Sequence, residues 1–191
     1  MKITRSSTIQ SLMLAAALGT GPGFASPVSA QSRAYLVDTN SKRLTDLGTL
    51  GGRYSYATGI NDAGQVVGYS YTASGEGHAF ITGLNGVGMT DLGTLGKDSS
   101  AFGINAAGEV VGQFHTVAGP AHAFVTGPNG VGMTDLNSLV SVPGAVLTDA
   151  VGINNHGQVA AIGVIPEPET YALLLAGLGL TGVMVRRRKP A

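Results

Sequence analysis

The chain has 191 residues, 11 basic and 11 acidic side chains, 30 glycines and no cysteine. The missing cysteines exclude disulfides, thiolate metal sites and a cysteine nucleophile. Charged residues are only 12% of the chain, and glycine costs about 1 kcal/mol at each helix-interior position, so the composition excludes a helical bundle and favours a chain that turns often.

The formal net charge of zero hides segregation. Lys2 and Arg5 lie at one end and Arg186, Arg187, Arg188 and Lys189 at the other. Between residues 31 and 165 five bases face nine acids, a balance of −4, which argues against nucleic acid as a partner.

Residues 1–30 have the three parts of a secretory signal. Lys2 and Arg5 form the basic start, Leu12 to Leu18 the apolar run, and Val28-Ser29-Ala30 the small residues a signal peptidase needs. Cleavage is expected after Ala30, with Ala25 as the rival position. Gly19, Gly21, Pro22 and Gly23 break the run too early for an ordinary N-terminal helix.

The middle of the chain repeats itself. "HAFITGLNGVGMTDLGTLG" begins at His78 and "HAFVTGPNGVGMTDLNSLV" at His122, with a degenerate copy, "RAYLVDTNSKRLTDLGTLG", at Arg33. A second block follows each: "GINDAGQVVG" from Gly59, "GINAAGEVVG" from Gly103 and "GINNHGQVAA" from Gly152. Units of about 33–77, 78–121 and 122–163 therefore fill a domain over residues 31–163. Each unit is predicted to hold four short strands joined by tight turns. Asn85-Gly86 and Asn129-Gly130 supply the positive φ of a hairpin turn. Asn61, Asn105 and Asn154, three residues before Gly64, Gly108 and Gly157, suit type I turns closing on a left-handed glycine. The predicted fold class is all-β, built from three β-repeats that are blade-like or stacked. Three units are fewer than a closed propeller needs. A linear stack, an incomplete ring and an assembly of several chains stay open.

The blocks "HAF" at His78 and His122, "DLGTLGG" at Asp46 and "GINDAGQVVGYS" at Gly59 resemble the HAF-repeat family of bacterial extracellular proteins. The resemblance covers nearly all of the mature middle. The first copy departs from it with Arg33-Ala34-Tyr35, and the third ends in "VAAIG"; both fit atypical terminal repeats. The resemblance implies an exported β-repeat protein and implies no catalytic activity.

Few residues invite chemistry. His78 and His122 recur, but a metal needs three or four converging ligands; a histidine bonded to a neighbouring repeat is the expectation. His115 and His156 do not recur and are expected at the surface. Asp46, Asp91 and Asp135 recur at strand ends, where a carboxylate accepts backbone N–H groups more often than it binds calcium. There is no phosphate-binding glycine run and no Gly-x-Ser-x-Gly elbow. No enzymatic activity, cofactor or metal is expected.

The chain closes on "VIPEPETYALLLAGLGLTGVMVRRRKPA", from Val164. Pro166 and Pro168 fix their own φ and push Ile165 and Glu167 toward extended geometry, a shape that suits a protease cleft. An uncharged run from Tyr171 to Val185 follows; as a helix its 15 residues span about 22 Å against a hydrocarbon core of about 30 Å. A transmembrane helix over 171–185 is predicted, short for its task and stopped by Arg186, Arg187, Arg188 and Lys189. These three parts resemble the PEP-CTERM sorting signal of Gram-negative bacteria that make extracellular polysaccharide. The resemblance implies that a membrane-embedded exosortase, a processing peptidase, removes the tail and delivers the protein to the cell surface or matrix.

The expected function is that of an exported, non-enzymatic β-repeat protein with a structural or binding role, with extracellular polysaccharide as a candidate partner and the membrane as a transient one. The alternatives are a repeat-built calcium-dependent lectin or hydrolase, and a permanently anchored single-pass protein.

Overall fold

The computed structural model describes residues 31–117, 119–140 and 143–165. The predicted signal segment with Ala30, the sorting tail from Pro166 and the predicted helix 171–185 lie outside the described residues. Among the described residues no helix is long and apolar enough to cross a membrane.

The chain is mostly β-sheet, and among the described residues no sheet closes into a barrel. Strands β1 (Tyr35–Asp38) and β2 (Arg43–Asp46) form a two-stranded sheet. Strands β3 (Gly51–Ile60), β4 (Val66–Thr72), β5 (Gly77–Thr82) and β6 (Met89–Gly93) form a four-stranded meander. Strands β7 (Ser99–Ile104), β8 (Val110–His115), β9 (Ala121–Thr126) and β10 (Met133–Asp135) form another. A short helix, α1 (Leu136–Leu139), leads to β11 (Val146–Ile153) and β12 (Val159–Val164), which pair alone. Among the described residues these strands all pair antiparallel, and one isolated parallel bridge joins Leu50 to Thr72.

The phase of these sheets differs from the sequence units. Boundaries drawn at His78 and His122 cut each complete sheet near the start of its third strand. The physical unit runs from the strand before the Asn-x-x-Gly turn to the strand after the Asn-Gly turn. Consequently the described residues form two complete sheets and two half sheets, one before and one after them in the chain.

The turns form as their residues dictate. Asn85 and Asn129 sit at φ 54° and 55°, and Gly86 and Gly130 at 73° and 75°, the left-handed region that asparagine and glycine tolerate best. At the other turn Gly64 N–H donates to the Asn61 carbonyl (3.0 Å), while the Asn61 side chain accepts from the N–H groups of Ala63 and Gln65. Asn105 and Asn154 repeat that pattern. Within a sheet the two turns dock: Gly86 N–H donates to the Gly64 carbonyl (2.9 Å) and Gly130 N–H to Gly108 (3.0 Å). A β-bulge recurs between the first two strands of each unit, at Thr58, Phe102 and Val151.

The core lies between successive sheets. Ala34, Leu47, Val66 and Phe80 cluster between the first sheet and the second. Val67, Ala79 and Ile81 meet Ala101, Val110, Phe114 and Phe124 between the second and third. Val111, Ala123, Leu136 and Ala150 fill the last interface. Both faces of a complete sheet are therefore covered, which explains the apolar runs "HAF" and "QVVG" where strict alternation would mark a sheet wet on one side.

Candidate functional site

The repeated histidines and aspartates find each other. His78 Nδ1 lies 2.9 Å from Asp91 Oδ2 across β5 and β6, and His122 Nδ1 lies 2.8 Å from Asp135 Oδ2. In the first unit Arg33 takes the histidine's place and pairs with Asp46 at 3.3 Å. The expectation that these histidines bond to a neighbouring repeat is corrected: the partner is the adjacent strand of the same sheet, because His and Asp stand 13 residues apart across one hairpin. The aspartates also accept backbone bonds as expected, from Gly48, Gly93 and Asn137 N–H groups. These carboxylates are already engaged, and among the described residues no group of three or more His, Asp or Glu could hold a metal ion.

Asp135 does one thing more. Its side chain caps the N-terminus of α1 by accepting from Asn137 N–H. Burial pushes its carboxyl up, but the bonds from His122 and from the backbone and side chain of Asn137 outweigh that and hold it below the ordinary range. A lowered folded-state pKa stabilises above the unfolded value and is lost as pH falls through the folded one. Asp135→Ala is therefore expected to lower the thermal midpoint at pH 7 by roughly 3 °C, from a cap worth about 1 kcal/mol. The difference from wild type should vanish on acidification well below pH 4. A gap that persists at the lowest pH would contradict this assignment.

A second array ties the units together. Asn61 Nδ2 donates to the Asn105 carbonyl (3.0 Å), and Asn105 Nδ2 to the Asn154 carbonyl (3.1 Å). The asparagines thus serve their own turns with Oδ1 and the next unit with Nδ2. Their side chains and the neighbouring Ile60, Ile104 and Ile153 line a shallow depression of about 270 Å³. At Asn61 and Asn105 both Nδ2 hydrogens are spent internally, one on the turn's own Gln65 or Glu109 side chain and one on the next unit's carbonyl, so the array there is structural.

One feature breaks the repeat. Tyr54, Tyr56, Tyr69 and Tyr71 gather on β3 and β4, at positions held in the next sheet by Asp98, Ser100, Gln113 and His115. Tyr56 and Tyr69 stack with centroids 4.8 Å apart, and Tyr71 meets Tyr54 edge-on at 5.9 Å and Tyr69 at 6.5 Å. Beside them opens a cleft of about 560 Å³, bounded by Gly51, Gly52, Arg53, Thr72 and Ala73. Gly52 is required there, because a Cβ would stand 2.5 Å from the Tyr71 carbonyl oxygen. Burial first, and then the neighbouring phenols Tyr56 and Tyr71, push the Tyr69 hydroxyl upward, so it stays a neutral donor. The cluster offers ring faces and hydroxyls together, with the exposed Arg53 cation at its rim. Sequence reasoning on the repeats passed over these residues. The available signal was "RYSYATG" and "GYSYTA", tyrosines alternating with period two and absent from the later copies.

Residues 164–189 match the PEP-CTERM protein-sorting motif. The match supports export, passage through the membrane to the cell surface and processing by an exosortase-type system. It begins on Val164, the last residue of β12. No curated protein matches the chain.

Proposed function

We propose that this is an exported, non-enzymatic HAF-type repeat protein that binds extracellular polysaccharide at the tyrosine cleft. In this reading a signal peptidase cuts after Ala30. Residues 171–185, stopped by Arg186, Arg187, Arg188 and Lys189, then park the chain in the inner membrane of a Gram-negative bacterium. The exosortase reads Pro166-Glu167-Pro168 and releases the domain to the surface or matrix.

The tyrosine cleft carries the binding part. A pyranose ring has a C–H face and a rim of hydroxyls, which matches a tyrosine's apolar face and polar tip, and Arg53 suits sugars that carry carboxylates. Tyr56 and Tyr71 are 39% and 37% exposed, so removing either should spare the fold. Tyr56→Ala and Tyr71→Ala are each expected to weaken retention on the host's polysaccharide roughly tenfold with little change in thermal midpoint. Equal retention of both variants and wild type would sink the cleft as the binding surface. The calcium-dependent lectin or hydrolase is disfavoured because the repeated carboxylates already serve histidines and backbone amides.

Delivery has its own check. The protein isolated from its host is expected to have an intact mass lacking residues 1–30 and the basic end. Retention of Arg186 to Lys189 would favour a permanent anchor.

A further inference from the structure

The first and last sheets are complementary halves of one repeat. In β1, β2 and the residue before β1, Ala34, Leu36 and Asp46 stand where Ala79, Ile81 and Asp91 stand in the third and fourth strands of a complete sheet. In β11 and β12, the Asn154-x-x-Gly157 turn and the bulge at Val151 mark the first and second strands. Each half holds what the other lacks. Among the described residues β1 bonds to β2 alone and β12 to β11 alone, and Ala160 to Val164 are exposed along β12. Helix α1 packs on β9, β10 and β11.

Three repeating contacts stop at the last half sheet. The asparagine array runs from Asn61 to Asn105 to Asn154, and Asn154 Nδ2 reaches only its own turn, at Gln158 Oε1. Gly59 lies with its Cβ direction 3.0 Å from the Phe102 carbonyl oxygen, and Gly103 lies likewise against Gly152 Cα, but Gly152 faces open space. Ile81 is 3% exposed beneath Gly130, whereas its counterpart Val125 is only half-buried.

We infer that β12 pairs with β1 of a second copy of this chain, head to tail, so that β11–β12–β1–β2 becomes a complete four-stranded sheet. The occupant is identified by the repeat itself: the edge that fits β12 is the edge that fits β4 and β8, and β1 is the copy of that strand without a partner. The register follows from β4–β5 and β8–β9. Ala160 stands opposite Leu36 of the second copy, Ile162 opposite Ala34 and Val164 opposite Ser32. Ala161 and Tyr35 form the pair that is Gly68–Phe80 and Gly112–Phe124 in the complete sheets. The main-chain bonds give the affinity, as in other strand additions. Beyond the joined sheet, β3–β6 of the second copy offers the Asn61 carbonyl to Asn154 Nδ2 and so continues the array.

The count closes as well. The described residues of each copy form two complete and two half sheets, so those of two copies joined at both ends form six complete sheets, inside the roughly four-to-eight range of closed propellers. A head-to-tail contact that closes leaves neither β1 nor β12 with an unpaired edge.

The test uses the full chain in mild detergent. Wild type is expected at twice the chain mass. Val37→Lys and Ile162→Lys, at positions 60% and 51% exposed in the single chain, are expected at the single mass with unchanged circular dichroism. Because the chain has no cysteine, co-expressed Ser32→Cys and Val164→Cys chains report the register directly. One disulfide should join the two variants, and neither alone should cross-link. A single-chain mass for wild type, or no mixed disulfide under oxidation, overturns the pairing. A disulfide that forms equally in Ser32→Cys alone overturns its head-to-tail direction.

Discussion

Gly112→Ala is expected to destabilise the protein strongly. A Cβ at this position would stand 2.0 Å from the Ser100 carbonyl oxygen, 2.8 Å from Ala101 Cα and 2.9 Å from the Phe124 ring. Two of these neighbours are backbone, held by the β7–β8 pairing and its bulge, so neither can swing aside as a flexible side chain would. The penalty should lie at or beyond the upper end of the about 1–3 kcal/mol typical of overpacking, against a total of about 5–15 kcal/mol for a domain. Gly68 is in the same position, 1.9 Å from the Tyr56 oxygen, and Gly68→Ala should behave alike. The third unit supplies the contrast. Ala161 occupies the equivalent site, and there β11–β12 carries an additional register shift between Leu147 and Asp149. Ala161→Gly is accordingly expected to be close to neutral. Denaturant unfolding of the three variants checks the argument; a Gly112→Ala midpoint near that of wild type would refute it.

Phe124→Ala is the second large effect. The ring is fully buried between the two complete sheets, within the cluster of Val67, Ile81, Ala101 and Val110. Truncating a buried phenylalanine costs about 3–5 kcal/mol, part of it lost transfer and part the cavity left behind. The surroundings cannot collapse into the space easily, because β4, β5, β8 and β9 are each fixed by ladders on both edges. Phe80→Ala, between the first half sheet and the second sheet, should cost less within that range, since β1–β2 is held from one side and can follow the cavity. A chemical-denaturation midpoint for Phe124→Ala within experimental scatter of wild type would show that this interface does not hold the stack together.

Much of this fold was legible in the residues. Asn85-Gly86, Asn129-Gly130 and the three Asn-x-x-Gly turns formed as their side-chain chemistry requires, because a turn is decided by four or five neighbouring residues. The phase of the sheets was not legible in the same way. A repeat has no intrinsic first strand, and whether "HAF" opens a sheet or continues one depends on pairing with β4 or β8 across a hairpin. The His78–Asp91 pair escaped for a related reason, since a spacing of 13 residues reveals contact only once the register of β5 and β6 is known. At Asp135 the repeat misled: Asn137 replaces the glycine found at Gly93, and the strand gives way to α1. The tyrosine cluster was visible as period-two alternation, but internal symmetry directed attention to what recurs, and these residues do not. The sorting motif was the most legible feature of all, because a peptide read in extended form needs no tertiary context.

The asparagine array has a thermodynamic consequence for a single chain. In a stack whose units touch only their neighbours, stability is approximately a sum of unit and interface contributions. The β7–β10 sheet is supported on both faces, whereas β1–β2 and β11–β12 each lean on one neighbour. Opening therefore starts at the ends, and amide protons there exchange through fluctuations that leave the middle closed. The C-terminal of these two ends is the one joined to the sorting motif at Val164. In the proposed delivery, a peptidase that engages this motif acts next to a part of the fold held from one side only.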